Sequence, residues 1–113
     1  MRCGDILLVN YPFTDTSGSK LRPVLAVSVD AFNRGDDLVL VPISSVLRPD
    51  DPYVVSVTLT DPAFAHSGLR ASSCIKWTKP FTVSRRVVSR RLGHLSAQLM
   101  SEVHAKLRTL FGE

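Results

Sequence analysis

The sequence predicts a mainly β protein, a small antiparallel sheet or barrel followed by one carboxy-terminal helix. Val, Ile and Leu are concentrated in short runs, and stretches rich in Gly, Pro, Asp, Asn or Ser separate these runs. Many short strands divided by turn residues are typical of antiparallel sheets and small barrels. Apolar residues recur at helical spacing near the end of the chain.

The apolar runs predict six strands, because β-branched and aromatic residues favour extended, half-buried segments. The predicted strands are residues 6–11, 24–29, 38–43, 53–59, 73–78 and 81–83. The turn-rich stretches between them predict loops. These loops are residues 15–20, 33–37, 48–52 and 61–68. Residues 92–95, Leu-Gly-His-Leu, are expected to form the turn that leads into the helix.

The final segment predicts an amphipathic helix that begins at Ser96, a residue type suited to the N-cap, and runs to Phe111. Its apolar residues form one stripe. The stripe consists of Leu99, Val103, Leu107 and Leu110. The opposite side of the helix is polar, so we expect the stripe to pack on the sheet.

The length of 113 residues is typical of one domain, here residues 1–113, with a core that a partner subunit would help to bury. No apolar run approaches the roughly 20 residues that cross a bilayer. Asp5 interrupts the start of the chain where an export signal would be apolar, which predicts a cytoplasmic protein without membrane association. Cys3 and Cys74 have no CxxC spacing and no accompanying His cluster, so neither a metal site nor a disulfide nor any cofactor is expected.

The net charge of +4 is unevenly distributed along the chain. No Asp or Glu occurs between Asp61 and Glu102, and this stretch holds 7 of the 14 basic residues. Such a basic tract suits a polyanion, either nucleic acid or an acidic protein segment. A solvated basic face without a partner is an equal alternative, since charge pattern alone does not identify a partner.

A positively charged side chain, Arg22, lies just before a predicted strand, in the loop Gly18-Ser19-Lys20-Leu21-Arg22-Pro23. Arg keeps its charge at any physiological pH and presents a planar fork of donors that fits a phosphate. The following Pro restricts the backbone of Arg22. The pattern therefore indicates a phosphate site, although an exposed Arg that merely precedes Pro would look the same.

Several kinds of hydrolase lack support. The sequence has no Walker-type phosphate loop, no Gly-x-Ser-x-Gly and no paired carboxylates with His. Cleavage of RNA without a metal needs a proton acceptor for the 2′-hydroxyl, positive charge at the phosphate and a proton for the leaving 5′-oxygen. Arg, Lys and clustered hydroxyls are the groups that remain for this chemistry.

An ordered set of short motifs resembles the MazF/PemK family of toxin endoribonucleases. The motifs are Gly4-Asp5-Ile6, Tyr11-Pro12-Phe13-Thr14-Asp15, Gly18-Ser19-Lys20, Arg22-Pro23 and Val41-Pro42-Ile43-Ser44-Ser45. The resemblance implies an SH3-like barrel of the MazF/CcdB/Kid toxin type with a carboxy-terminal helix, assembled as a homodimer. It implies a toxin that cleaves single-stranded mRNA selectively without a metal, leaves 2′,3′-cyclic phosphate and 5′-hydroxyl ends, and is blocked by a cognate antitoxin.

The same resemblance assigns candidate site residues. Arg22 falls on the catalytic Arg of the family, and Ser44 falls on a hydroxyl position that holds the phosphate. The predicted RNA-binding residues are Ser19, Lys20, Ser45, Lys76 and Thr78. The rings of Tyr11 and Phe13 are candidates for stacking on a base or for a place in the core.

Two departures from the family leave the reaction partly open. Lys76 and Thr78 occupy positions where some relatives have Arg and Asp, so the proton acceptor is Arg22, a water or a His. His66 and His94 lie in no matching motif and are left outside the site. A non-cleaving RNA-binding module of the same fold is the alternative, and a gyrase-poisoning toxin like CcdB is a further one that the Gly-Ser-Lys-x-Arg-Pro loop disfavours.

Overall fold

Seven strands and one long helix make up the computed structural model, which describes residues 1–11 and 20–112. The strands are β1 (Asp5–Tyr11), β2 (Lys20–Ala26), β3 (Asp37–Ser44), β4 (Val55–Val57), β5 (Ser73–Ile75), β6 (Phe81–Ser84) and β7 (Val88–His94). The helices are α1 (Asp30–Asn33) and α2 (Ala97–Leu110), and 3-10 turns cover Phe64–Ser67 and Arg85–Val87. All described strand pairs are antiparallel, which confirms the predicted fold class.

The sheet has the strand order β4-β5-β3-β2-β1-β7, and β6 pairs with β3 as well. β6 pairs with the first half of β3 up to Leu40, and β5 pairs with its end from Ile43 onward. Pro42 lies at the junction between them, where its carbonyl accepts the backbone N–H of Lys76 at 2.9 Å. Proline lacks an N–H to donate and is normally confined to sheet edges. It is tolerated here because one neighbouring strand has ended and the next is just beginning.

The predicted strands are found at their predicted places but with different lengths. β1, β3 and β6 match closely, while β2 begins earlier and ends earlier than residues 24–29. The predictions for residues 53–59 and 73–78 were too long, since β4 and β5 have 3 residues each. Tyr53, whose N–H donates to Asp51 Oδ1 at 2.8 Å, still belongs to the turn before β4, and a turn closed by Lys79 N–H to Lys76 C=O at 3.2 Å follows β5.

β7 was not predicted, and the predicted turn over residues 92–95 was wrong because residues 92–94 belong to this strand. Its register against β1 shifts between Ile6 and Leu7 and again between Leu8 and Val9. Each shift is a bulge that interrupts the alternation of inward and outward side chains. The sequence of β7 therefore lacks the period of two by which strands are recognised.

The sheet carries apolar clusters on both faces. Neighbours along β1 and β2 alternate between them, with Ile6 and Leu25 in one cluster and Leu7 and Val24 in the other. All four side chains are fully buried. The strands therefore have a core on each side, which explains their continuous apolar runs.

α2 packs on the larger cluster, as predicted. The hydroxyl of Ser96 accepts the N–H of Leu99 at 3.2 Å and so caps the helix as expected. Met100 and Val103 are buried, and Leu99 and Leu107 pack beside them, whereas Leu110 of the predicted stripe is 39% exposed. None of the described helices combines the length and apolar character that crossing a membrane requires.

Candidate functional site

A groove of about 760 Å³ opens where the ends of β2 and β3 meet β7 and the segment that precedes β5. Arg22, Ser44 and Lys76 all contribute to its lining, together with apolar side chains such as Leu8 and Leu21. Because Leu21 is 50% exposed and Arg22 is exposed beside it, the start of β2 is accessible from solvent. The predicted catalytic residues Arg22 and Ser44 thus lie in the same open groove.

The register of the sheet explains why Arg22 and Ser44 are neighbours. Val24 of β2 is the partner of Pro42 on β3. The pairing ends at these two residues, and Arg22 and Ser44 each lie two residues beyond it, on the side of the sheet to which Val24 and Pro42 point. Two residues that are 22 positions apart in sequence are therefore positioned by backbone pairing within the sheet.

The hydroxyl of Ser44 takes part in a turn at the end of β3. Its oxygen accepts the backbone N–H of Val46 at 3.1 Å. A serine hydroxyl that accepts one bond still has its own proton to donate. Ser44 therefore closes the strand and keeps a donor for an anion in the groove.

Most of the predicted RNA-binding residues that the structure describes line this groove. Lys20, Ser45 and Lys76 belong to the lining, whereas Thr78 does not. The chain reverses between Lys76 and Lys79, so the strand that would have aligned Thr78 with the groove ends before that residue. Three predicted contributors lie outside the described residues: Ser19, Phe13 and the side chain of Tyr11.

Three further cations were not predicted as site residues, although each belongs to the basic tract seen in the sequence. They are Arg70, Lys79 and Arg90. With Lys20, Arg22 and Lys76 they bring six cations to the groove. Among the described residues, no carboxylate oxygen lies within 4.0 Å of any of the six, and no Asp, Glu or His belongs to the lining. The groove therefore has a concentrated positive charge that favours an anionic ligand.

Two glycines allow the 3-10 turn Phe64–Ser67, which leads into one wall of the groove, to pack directly against β7. A Cβ atom at Gly68 would lie 2.2 Å from the carbonyl oxygen of Leu92, and one at Gly93 would lie 2.3 Å from that of His66. Gly68 also has a φ of +73°, which residues with a side chain rarely adopt. The backbone of β7 and the 3-10 turn thus touch directly, and this contact positions the segment that contains Arg70.

The histidines and cysteines do not form part of the groove. Across residues 1–11 and 20–112, no group of three His, Cys, Asp or Glu side chains is placed to hold a metal ion. His94 lies 3.5 Å from Asp5, and His66 belongs to the 3-10 turn. Neither histidine belongs to the described lining of the groove.

Comparison with known proteins places this geometry in a family. Residues 2–111 match the family model of the PemK-like, MazF-like toxins of type II toxin-antitoxin systems. None of the curated proteins matches the chain.

Solved structures of similar fold cover almost the whole chain. A MazE-MazF complex from Deinococcus radiodurans is 26% identical with a TM-score of 0.75, and the match covers 99% of this chain and 96% of the other. MazF from Deinococcus radiodurans is 21% identical with a TM-score of 0.76, covering 100% and 97%. The Mycobacterium tuberculosis toxin MazF-mt6 is 19% identical with a TM-score of 0.74, covering 95% of each chain. With the family model extending over nearly its full length, the chain belongs to the PemK-like, MazF-like toxins of type II toxin-antitoxin systems.

Proposed function

We propose that this toxin is a metal-independent endoribonuclease that cleaves single-stranded mRNA and thereby inhibits translation and growth. The single observation that supports it most is the presence of Arg22 and Ser44 in the lining of one groove with six cations and no facing carboxylate among the described residues. The family is one of endoribonucleases, and two of the similar structures are described as such.

In the proposed reaction the ribose 2′-oxygen attacks the adjacent phosphorus, and the bond from phosphorus to the 5′-oxygen breaks. The 2′-hydroxyl loses its proton and the leaving 5′-oxygen gains one, so the products are a 2′,3′-cyclic phosphate and a 5′-hydroxyl. Negative charge builds up on the phosphoryl oxygens in the transition state. The Arg22 guanidinium and the Ser44 hydroxyl stabilise this charge, since preorganised donors act most strongly where charge develops.

Proton transfer is assigned to Arg22, acting directly or through a water beside it. The described lining contains no carboxylate or imidazole to serve instead. Lys76, whose backbone N–H is bonded to Pro42, holds the strand of RNA by its phosphate. Lys20 and Ser45 make further contacts to the sugar-phosphate backbone of the same RNA strand.

A non-cleaving RNA-binding module is a second candidate, and the absence of Asp, Glu and His from the described lining favours it. One experiment separates the two. The purified protein is incubated with a long unstructured RNA in EDTA, the ends of any products are mapped, and the incubation is repeated with Arg22→Ala.

Cleavage to cyclic-phosphate ends that disappears in Arg22→Ala supports the nuclease. Binding of RNA by the unmodified protein without any product supports the binding module. An effect on gyrase without either RNA binding or cleavage would contradict both and favour the CcdB-like alternative.

The proposal includes a cognate antitoxin and a homodimer. Several similar structures are toxin-antitoxin complexes, among them MazE-MazF from Deinococcus radiodurans. An acidic segment of an antitoxin would match the charge of the groove and compete with RNA for it. Sedimentation of the protein alone and with its antitoxin measures both assemblies.

A further inference from the structure

Cys74 is a buried thiol whose position is not explained by the apolar core. It lies in the middle of β5 and is 1% exposed. Free cysteines are usually buried as small apolar side chains. Cys74 belongs to neither of the two apolar clusters, whereas its neighbour Ile75 is a member of the larger one. The thiol therefore has surroundings other than the packed core.

The backbone of residues 45–48, here called the exit segment because it follows β3, reaches this thiol. The Sγ atom of Cys74 accepts the backbone N–H of Arg48 at 3.3 Å. The exit segment is exposed along its whole length. Apart from the bond between Val46 and Ser44, no other hydrogen bond outside the strand ladders joins it to a strand or helix among the described residues. The bond to Cys74 thus fixes the far end of the exit segment.

Cys74 is also the partner of Ser44 in the sheet. The two residues are directly paired across β3 and β5. Directly paired residues of antiparallel strands have their side chains on the same face, with Cβ atoms about 5 Å apart. The thiol of Cys74 is therefore a near neighbour of the hydroxyl that the proposed reaction uses.

Two hydrogen bonds hold the exit segment, one near each end. Ser44 Oγ accepts the N–H of Val46 at 3.1 Å, and Cys74 Sγ accepts the N–H of Arg48 two residues later. Ser45 and Val46 lie in the stretch between Ser44 and Arg48, and both line the groove. Loss of the bond at Arg48 would free the segment and remove the support of the turn that orients the Ser44 hydroxyl.

We propose that Cys74 is a positioning residue for RNA cleavage, whose thiol acts through Arg48 and the exit segment to hold the Ser44 hydroxyl in the orientation that donates to the phosphate. The inference rests on the proposed function and extends it to a side chain that lies behind the groove. Cys74 does not belong to the lining, so its effect on the rate is exerted through Ser44. A displacement of about 1 Å at a reacting group can cost roughly 10²-fold in rate, so a small movement of the turn is enough.

The test compares steady-state cleavage of a fluorogenic RNA by Cys74→Ala and Cys74→Ser. Alanine removes the hydrogen-bond acceptor, whereas serine replaces the thiol with a hydroxyl that also accepts. Cys3→Ala is the matched control, because Cys3 is the other cysteine of the chain and does not line the groove. Circular dichroism and urea unfolding verify that each variant is folded.

Cys74→Ala is expected to lower kcat roughly tenfold with little change in KM, because the Ser44 hydroxyl acts on charge that develops in the transition state. Cys74→Ser should retain most of the activity, and Cys3→Ala should match the unmodified protein. In a Ser44→Ala background, Cys74→Ala should cause no further loss, since the group through which it acts is gone. A general weakening of the fold would instead add to the effect of Ser44→Ala.

Hydrogen exchange in the unmodified protein gives a second measurement, which needs no variant to fold. The amide of Arg48 should exchange more slowly than that of Leu47, which is exposed and makes no hydrogen bond among the described residues. Cys74→Ser should keep this protection of the Arg48 amide, and Cys74→Ala should lose it.

The contrary results are distinct from one another. If the unmodified protein does not cleave RNA, the proposed function fails, and the role of Cys74 fails with it. If it cleaves RNA and Cys74→Ala keeps the full kcat, or loses as much in the Ser44→Ala background as alone, the positioning role alone fails. A rise in KM without a fall in kcat would assign the exit segment to RNA binding and overturn the action through Ser44. Equal exchange of the Arg48 and Leu47 amides overturns the role even where Cys74→Ala does not fold.

Discussion

The hydroxyl of Ser44 can take part in the turn and in the proposed phosphate contact at once, because a hydroxyl both accepts and donates. It accepts the N–H of Val46 at the end of β3 and retains a proton for a bound phosphate. A hydrogen bond accepted by an oxygen also polarises the bond that it donates. The turn thus orients the hydroxyl and strengthens it as a donor.

Two substitutions of Ser44 test the proposed contact between its hydroxyl and the phosphate. Ser44→Ala is expected to lower kcat for RNA cleavage by roughly 10²-fold, the usual cost of removing one donor to a developing negative charge. Ser44→Thr keeps the hydroxyl and should retain most of the activity. Steady-state cleavage of a fluorogenic RNA measures both, with Ser101→Ala on the exposed side of α2 as the control. Full activity in Ser44→Ala would remove this residue from the proposed mechanism.

At the scale of single residues, the sequence predicted those contacts that follow from local motifs. Arg22 and Ser44 were assigned together through the family resemblance, and both residues line the groove. Thr78 was misplaced because its position depends on where β5 ends, which a short apolar run does not specify. Arg90 was overlooked because two bulges obscure the period of the strand on which it lies. The roles of these residues stay predictions.

Between elements, the contact of β7 with the 3-10 turn depends on the absence of two side chains. Gly68 and Gly93 allow the backbones to approach within distances that no Cβ tolerates. This contact is long-range in sequence, and nothing in the local pattern around either glycine indicates it. The sequence predicted a loop and a turn here, and the structure shows the two packed together.

Gly68→Ala and Gly93→Ala should each destabilise the fold, by roughly 1–3 kcal/mol or more, because rigid backbone atoms would have to move apart. Gly35→Ala is the control, since its added Cβ would meet its nearest neighbour at an ordinary 3.4 Å. Urea unfolding monitored by circular dichroism gives the free energies. A stable Gly93→Ala variant with unchanged RNA binding would contradict the close contact.

At the scale of the whole molecule, Asp5 links β1, the first strand of the chain, to the neighbouring β7, which is the last. Its carboxylate is buried and accepts hydrogen bonds from the backbone N–H of Arg2 and from Arg91, 86 residues away. Burial raises the pKa of Asp5, but these hydrogen bonds and the charge of Arg91 outweigh it, and the net pKa is lowered. The folded protein therefore favours the ionised form.

This lowered pKa predicts how stability depends on pH. A carboxyl whose pKa is lower in the folded state stabilises the fold above its unfolded pKa of about 3.9, and the effect is lost as pH falls through the folded value. Asp5→Asn should thus unfold more readily at neutral pH, by roughly 2 kcal/mol, with a difference that shrinks in acid. Urea unfolding from pH 7 down to acid measures it, and Asp50→Asn at an exposed site is the control. A constant difference at every pH would show that Asp5 acts without its charge.

The six cations of the groove have no carboxylate within 4.0 Å in residues 1–11 and 20–112, and this has a consequence for folding. Folding must gather six like charges from distant stretches of the chain before any ligand is present to neutralise them. Burial of the apolar clusters has to outweigh this repulsion in the free protein, so a bound polyanion should stabilise the fold. A polyanion near the nascent chain would offset the same repulsion, and the RNA proposed as the substrate of this toxin is of that chemical kind.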